Sequence, residues 1–315
     1  MKKGLILLLL VGAFVGTKAQ QDPQFTQWMF EKISFNPAAA GIEQMHCISM
    51  FYRDQWDGFD RDPKIGLFNY GGKIGELPVG IGLTLFSESL GQERNALFKV
   101  STNYQLEIGK NILSMGLSFG GYNKRLGNSW IAIDPIDQDQ AINNQEISAT
   151  SFDLGAGVMF AQNDKYYAGI SATHLTGQDL KDMNIKMSQH LYIMGGYNFD
   201  LTSTLELRTN LLAKSDLNVT TFDLNANVLW NNLAWAGVSY RHGDAIAPMA
   251  GFQMAWVGES GYSKIPQKIM LGYSYDATTS EIRTYSSGSH EIFVTYCFNM
   301  ISTPPQNRHA NPRFL

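Results

Sequence analysis

The sequence predicts an all-β protein, an outer-membrane antiparallel β-barrel of about 14 strands. Three observations predict it: apolar and polar residues alternate along most of the chain, the N-terminus has the pattern of an export signal, and the composition is rich in aromatic residues and poor in charge. Aromatic residues make up 12% and charged residues 17% of the chain, and typical soluble chains have roughly 25% charged residues. The mean hydropathy of −0.16 fits a barrel, because the lumen-facing half of each strand is polar.

Residues 1–19 have the pattern of a cleaved secretory signal peptide. Lys2 and Lys3 precede an apolar run from Leu5 to Val15, and cleavage is expected after Ala19. The run is too short to cross a membrane as a helix, and no later window reaches about 18 consecutive apolar residues. Loss of this segment removes three lysines and no acid, so the formal net charge changes from −4 to −7. An acidic mature chain argues against nucleic acid as a partner.

Residues 20–46 are expected to form an N-terminal plug or rim segment. The stretch Phe25–Phe35 is apolar and aromatic with roughly helical spacing, and the following Asn36-Pro37 pair favours a turn. Three placements are open at this point: a plug inside the barrel, a segment docked on its periplasmic rim, and an arm that covers a strand edge.

The transmembrane barrel is expected over residues 47–299, where the alternation recurs. In Leu97–Gly109 apolar side chains take one parity and polar side chains the other, as in a strand with one apolar face. About 14 such segments of about 10 residues follow one another, separated by turn residues. The long connection from Leu126 to Ile147 is expected on the outer face.

Alternation is also typical of a soluble β-sandwich, so three further features decide for the barrel. Strands of about 10 residues exceed the 5–6 of soluble sheets, the polar face is rich in Gly, Ser and Asn, and aromatic residues recur near segment ends. In outer-membrane barrels such residues form girdles at the two interfaces; here they are Tyr104, Tyr122, Tyr166, Tyr197, Trp230, Trp235, Trp256 and Tyr262. We therefore expect the apolar parity of the example to contact lipid through Phe98, Val100, Tyr104 and Leu106.

An antiparallel alignment of the first strand with the last closes the ring. The alignment gives three cross-strand pairs on one face, Cys47 with Cys297, Phe51 with Phe293, and Arg53 with Glu291. The cysteine pair permits a disulfide at the periplasmic end, in a compartment that favours disulfides. The alternative is that both cysteines are small apolar residues, and the two readings stay open here.

No pattern in the sequence predicts catalysis, a metal or a cofactor, and we interpret the protein as a non-enzyme. None of the six histidines has the spacing of a metal site, and His174 and His190 are interpreted as structural residues at strand edges. The acidic stretch Asp134–Asp139 lacks the EF-hand spacing and is interpreted as a solvated loop.

Four short stretches carry a family resemblance: QDPQFTQWMFEKISFNPAAAG at Gln21–Gly41, YRDQWDGF at Tyr52–Phe59, SHEI at Ser289–Ile292 and NPRFL at Asn311–Leu315. Together they resemble the PorP/SprF family of type IX secretion system membrane proteins of Bacteroidota. Two positions depart from the family pattern, with Ala39 in place of the usual Tyr and Asp54 in place of the usual Asn. The resemblance implies an outer-membrane barrel that acts in protein secretion or gliding motility, with periplasmic ring subunits or a secreted surface adhesin as partners.

Two groups of residues are candidates for partner binding. Trp56 and Phe59 follow the first strand and belong either to a partner contact or to an aromatic belt. Arg313, Phe314 and Leu315 end a proline-containing periplasmic tail, residues 300–315, that is either a docking peptide or a disordered end.

The expected function is to anchor or assist a secreted surface protein and to couple it to the periplasmic secretion machinery. The alternative is an outer-membrane transporter for hydrophobic or small polar molecules, of the fatty-acid-porin kind. The transporter requires an open or ligand-holding lumen, and the secretion component does not.

Overall fold

Fourteen antiparallel strands close into one barrel in the computed structural model, which describes residues 22–128, 145–177, 179–180, 183, 185–260 and 263–299. The barrel strands are β1 (His46–Asp54), β2 (Lys64–Lys73), β3 (Val79–Leu90), β4 (Glu93–Ile108), β5 (Asn111–Leu126), β6 (Ile147–Gln162), β7 (Tyr166–Thr173), β10 (His190–Asp200), β11 (Leu205–Ser215), β12 (Thr220–Trp230), β13 (Ala234–Arg241), β14 (Ala245–Ser260), β15 (Ser263–Thr278) and β16 (Ser289–Phe298). The predicted fold class is confirmed.

Each strand pairs with its neighbour in the chain, with one interruption. Two short strands, β8 (Asp179–Leu180) and β9 (Ile185–Lys186), form a separate two-stranded sheet in the connection between β7 and β10. The ring closes where β1 pairs with β16.

The two ends of the barrel differ in the lengths of their connections. Short turns such as 109–110 and 231–233 lie at the end where β1 begins and β16 ends, and the longer connections 55–63, 174–189 and 279–288 lie at the other. Outer-membrane barrels have short periplasmic turns and longer extracellular loops. We therefore call the first end the inner, periplasmic end and the second the outer end.

The faces of β4 have the predicted character, whereas Trp235 of β13, expected in an interfacial girdle, is 2% exposed and packs in the lumen against Phe30. On β4, Phe98 and Tyr104 are each 51% exposed on the outside of the barrel, whereas Lys99 and Asn103 are buried in the lumen. The apolar belt on the outside is the surface that lipid covers, and the outer-membrane location predicted from the sequence is confirmed. Among the described residues, no helix is both long and apolar enough to span a bilayer.

Residues 22–45, which we call the plug, lie inside the barrel. The plug begins near the outer end, where the backbone N–H of Asp22 donates to His190, and it runs down to the inner end, where Gln44 accepts from Lys73. Its regular structure is limited to two 3₁₀ turns, Trp28–Phe30 and Pro37–Ala39. The helical spacing of its aromatic residues produces no longer helix, because their side chains pack against different walls of the lumen.

Four features of the sequence lie outside the described residues. They are the signal peptide, most of the connection from Leu126 to Ile147, Tyr262, and the tail with Arg313, Phe314 and Leu315.

Candidate functional site

The closure of the barrel supplies the first wall of the candidate site. In the register of β1 and β16, Cys47 faces Cys297, Phe51 faces Phe293 and Arg53 faces Glu291, the same pairs as in the sequence alignment. A disulfide joins the two cysteines at the inner end. The two phenylalanine rings stack 5.0 Å apart and point into the lumen.

A network of buried charges lies toward the outer end of the lumen. Arg53 donates to Glu291 at 3.1 Å and to Asp276 at 2.7 Å, and Arg241 donates to the same oxygen of Asp276 at 3.2 Å and to Asp223 at 2.9 Å. Arg53, Asp276 and Glu291 are each about 1% exposed. Charges buried this deeply are tolerated only when they are paired and hydrogen-bonded, so the five strands that carry them are held in one arrangement.

The plug is part of this network. The hydroxyl of Thr26 donates to Asp276 at 2.7 Å and accepts from Arg53 at 3.0 Å. The backbone N–H groups of Thr26 and Gln27 each donate to a carboxylate oxygen of Glu291 at 2.8 Å. We call the set Thr26, Gln27, Arg53, Arg241, Asp276 and Glu291 the latch, because it fastens the plug to the wall.

Aromatic packing continues the attachment below the latch. Trp28 is fully buried, and the ring of Phe30 lies 4.9 Å from the rings of both Phe293 and Trp235. Such ring pairs contribute about 0.5–1.5 kcal/mol each beyond the area that they bury.

The stretch Asn36–Gly41 of the plug lies on a floor of strand glycines. A Cβ atom at Gly116 would lie 2.5 Å from the backbone nitrogen of Ala38, so no other residue leaves room for the plug backbone at that position. Polar side chains of the wall fix the position of the stretch along the barrel axis. Ser114 and Asn103 donate at 2.7 Å to the carbonyl oxygens of Ala38 and Ala40, respectively.

The plug has a cavity on each side. The outer cavity is about 280 Å³ and is lined by plug residues such as Phe25 and by wall residues such as Lys99 and Tyr122. The inner cavity is about 360 Å³ and is lined by Lys32 of the plug and by Arg208 and Lys268 of the wall.

A cluster of Asp22, His174 and His190 lines the outer cavity. Burial alone would lower the pKa of His174, but Asp22 and Asp153 on either side of the ring raise that pKa to about 10. The period-two pattern cannot identify this cluster, because its three members come from the plug, a connection and a strand end. The sequence alone favours a structural role for both histidines, because only the path of the plug brings Asp22 to them.

The outer end presents the first pair of candidate binding residues. Trp56 and Phe59 lie in the connection 55–63, where Trp56 is half-buried and Phe59 is 37% exposed. The backbone N–H of Trp56 donates to Ser289 at 3.0 Å, and that of Asp57 donates to Gly288 at 2.8 Å. The connection is therefore hydrogen-bonded to the start of β16 and to its neighbour 279–288.

Most of the chain matches a known protein family. A family model described as type IX secretion system membrane protein PorP/SprF matches residues 17–296. A search of curated proteins finds no match.

Several solved structures are similar in overall shape. One is the CymD monoaromatic hydrocarbon channel, with 10% identity, 87% of this chain and 92% of that chain covered, and a TM-score of 0.46. Another is the Ralstonia pickettii toluene transporter TbuX, with 11% identity, 87% and 93% covered, and a TM-score of 0.48. A Pseudomonas aeruginosa FadL homologue has 10% identity, 84% and 93% covered, and a TM-score of 0.42.

Proposed function

This chain belongs to the PorP/SprF family of type IX secretion system membrane proteins, and on that premise we propose that it anchors a secreted surface protein and couples it to periplasmic secretion subunits. Membership makes it an outer-membrane component of that system. The finer role, binding and positioning of a partner at each end of the barrel, is our proposal.

The observation that carries the proposal is the plugged lumen. Residues 22–45 occupy the barrel from the outer to the inner end, and the latch holds them with buried hydrogen bonds and ion pairs. A lumen fastened in this way suits a protein that works through its two end surfaces rather than through an open pore.

The outer surface offers aromatic side chains to a secreted partner. Phe59 is 37% exposed in the connection 55–63, and Tyr285 is 75% exposed in the connection 279–288. Aromatic residues on a rigid surface are favoured as binding anchors, because they bury a large area and lose little conformational entropy. We propose that these two connections form the contact with a secreted adhesin.

The inner surface is proposed to contact periplasmic ring subunits. β16 ends at Phe298 on the inner end, and Asn299 is the last residue that the structure describes. We propose that Arg313, Phe314 and Leu315 of the tail act there as a docking peptide.

The test is affinity purification of the full chain from gently solubilised outer membrane, with a tag in the connection 126–147. We expect one large surface protein and type IX secretion subunits to co-purify. Phe59→Ala should lose the surface protein and keep the periplasmic subunits, and removal of residues 300–315 should do the reverse. Phe98→Ala, which removes the same ring from the lipid face, is the matched control. Recovery of the barrel alone would contradict the proposal.

The transporter is the second candidate, and the two cavities beside the plug favour it. Planar-bilayer recordings separate the two functions, because a plugged anchor should be nearly silent. Porin-like conductance of the unmodified chain, or a small molecule that co-purifies in the outer cavity, would favour the transporter.

A further inference from the structure

We propose that Asp22, His174 and His190 form a binding site for one divalent transition metal ion, with zinc as the ion that fits best. The site is independent of the proposed secretion role. It lies at the outer end of the plug, and its three donors come from three separate parts of the chain.

The donor atoms already converge. A carboxylate oxygen of Asp22 lies 3.0 Å from Nε2 of His174, and the donor atoms of all three residues lie within 4.8 Å of one another. Two ligands of a tetrahedral zinc ion with bonds of about 2.0–2.1 Å lie about 3.3 Å apart. The separations in the cluster therefore need to contract by at most about 1.5 Å to close around the ion.

The rings are oriented by partners behind them. Nδ1 of His174 lies 2.9 Å from a carboxylate oxygen of Asp153, and Nδ1 of His190 lies 3.1 Å from the carbonyl oxygen of Ser188. Nε2 of His174 then faces the carboxylate of Asp22, whereas Nε2 of His190 accepts from the backbone N–H of Asp22 at 3.1 Å, a bond that the ion would have to replace. Histidine ligands of metals characteristically give their second nitrogen to a carboxylate or a backbone carbonyl, which fixes the tautomer and the ring orientation.

Asp22 is also held in place. Tyr192 donates to one of its carboxylate oxygens at 2.5 Å, and Lys214 donates at 2.6 Å to its backbone carbonyl, not to its carboxylate. The other carboxylate oxygen is the one that approaches His174. The oxygen that Tyr192 positions lies 3.8 Å from Nδ1 of His190, and the other oxygen faces His174.

The site has room for a further ligand. All three residues line the outer cavity of about 280 Å³, which is large enough for water molecules to complete the coordination. Two imidazoles and one carboxylate with an open position suit zinc and other first-row divalent ions, and a hard ion such as calcium would require more oxygen ligands. On binding, the metal would displace the proton that lies between Nε2 of His174 and Asp22.

A bound ion would fasten the plug a second time. The latch holds Thr26 and Gln27, and the metal would join Asp22, four residues earlier, to the connection 174–189 and the start of β10. Loading with zinc should therefore slow any movement of the plug that starts at its outer end.

The test uses the full chain, purified with a tag that contains no histidine, stripped with a chelator and titrated with zinc. Mass spectrometry and calorimetry should find one zinc ion per chain. Because removal of a ligand weakens a metal site strongly, His190→Ala should lower the affinity at least about 100-fold. His242→Ala, which removes an exposed histidine of another outer connection, should leave the affinity unchanged.

Cobalt provides a measurement that does not depend on any variant. Cobalt bound to the unmodified chain should give the visible absorption of a four- or five-coordinate nitrogen and oxygen site, and zinc should abolish it. Equal zinc affinity in the unmodified chain and in His190→Ala would overturn the proposal. So would an unmodified chain that binds neither ion, in which case the cluster is a hydrogen-bonded group only.

Discussion

Thr26 and Asp276 are 250 residues apart in the sequence and are joined by a hydrogen bond of 2.7 Å between hydroxyl and carboxylate. One residue belongs to the plug and the other to β15, so this contact fastens the start of the chain to the last hairpin of the barrel. Both residues are about 1% exposed. The bond therefore does not compete with water, and its loss should have a measurable effect.

Thr26→Val tests this bond with little change of shape. The substitution removes the hydroxyl that Asp276 and Arg53 both use, and it leaves their buried charges with one partner fewer. We expect the free energy of unfolding to fall by about 1–3 kcal/mol, measured by denaturant titration of the barrel in lipid vesicles. Thr102→Val, at an exposed position on the outer face of β4, is the control and should have little effect. An equal loss in both variants would contradict the role of the latch.

Arg53→Met should have a larger effect, because it leaves the buried carboxylate of Glu291 without its cation and that of Asp276 with Arg241 alone. Breaking a buried ion pair from one side costs about 3–5 kcal/mol, and the repulsion between Asp276 and Glu291 should loosen the plug. We expect the variant to show channel openings in planar bilayers that the unmodified chain lacks. Arg94→Met, at an exposed site on β4 where Arg94 donates to the backbone carbonyls of Gly91 and Glu93, should remain silent. A silent Arg53→Met barrel would show that the latch does not hold the plug.

Gly116→Val tests the floor under the plug. Its Cβ would lie 2.5 Å from the nitrogen of Ala38 and 2.6 Å from the carbonyl carbon of Pro37, so the plug has to move. We expect trypsin to cut at Lys32 in the detergent-solubilised variant and not in the unmodified protein. Gly66→Val is the matched control, because a Cβ there has no atom within 4 Å. Protection of Lys32 in both variants would argue against a tightly seated plug.

The disulfide between Cys47 and Cys297 should be visible on a denaturing gel. It closes a loop with a sequence separation of 250, so the oxidised unfolded chain should migrate faster than the reduced one. Cys297→Ser should remove the difference and lower stability by about 2–5 kcal/mol. Identical mobility with and without reductant would mean that the cysteines are not joined.

The sequence was sufficient for the barrel and for the way it closes. Neighbouring residues of a strand face opposite sides, with Phe98 directed outward and Lys99 inward. A period of two in hydrophobicity therefore identifies the strands. The pairing of Arg53 with Glu291 could be predicted because one register of β1 and β16 pairs opposite charges, two aromatic rings and two cysteines at the same time.

The lumen could not be predicted in the same way. Whether Thr26 contacts Asp276 depends on the path of a segment with almost no regular structure, and this contact joins residues 250 positions apart. The sequence shows the glycines under the plug as small residues on the polar face of their strands. The neighbouring sequence, however, does not distinguish Gly116, which lies under the plug, from Gly66 on the outer face. The tail residues Arg313, Phe314 and Leu315 stay a prediction.

The direction of the plug has a mechanical consequence. Its last residues join β1 at the periplasmic side and Asp22 lies near the outer side, so a pull on β1 from the periplasm would break the plug contacts in order. The bonds of Asn103 and Ser114 to Ala40 and Ala38 would yield before those of Thr26. The lumen would thus open first at its periplasmic end, while the latch still closes the outer end.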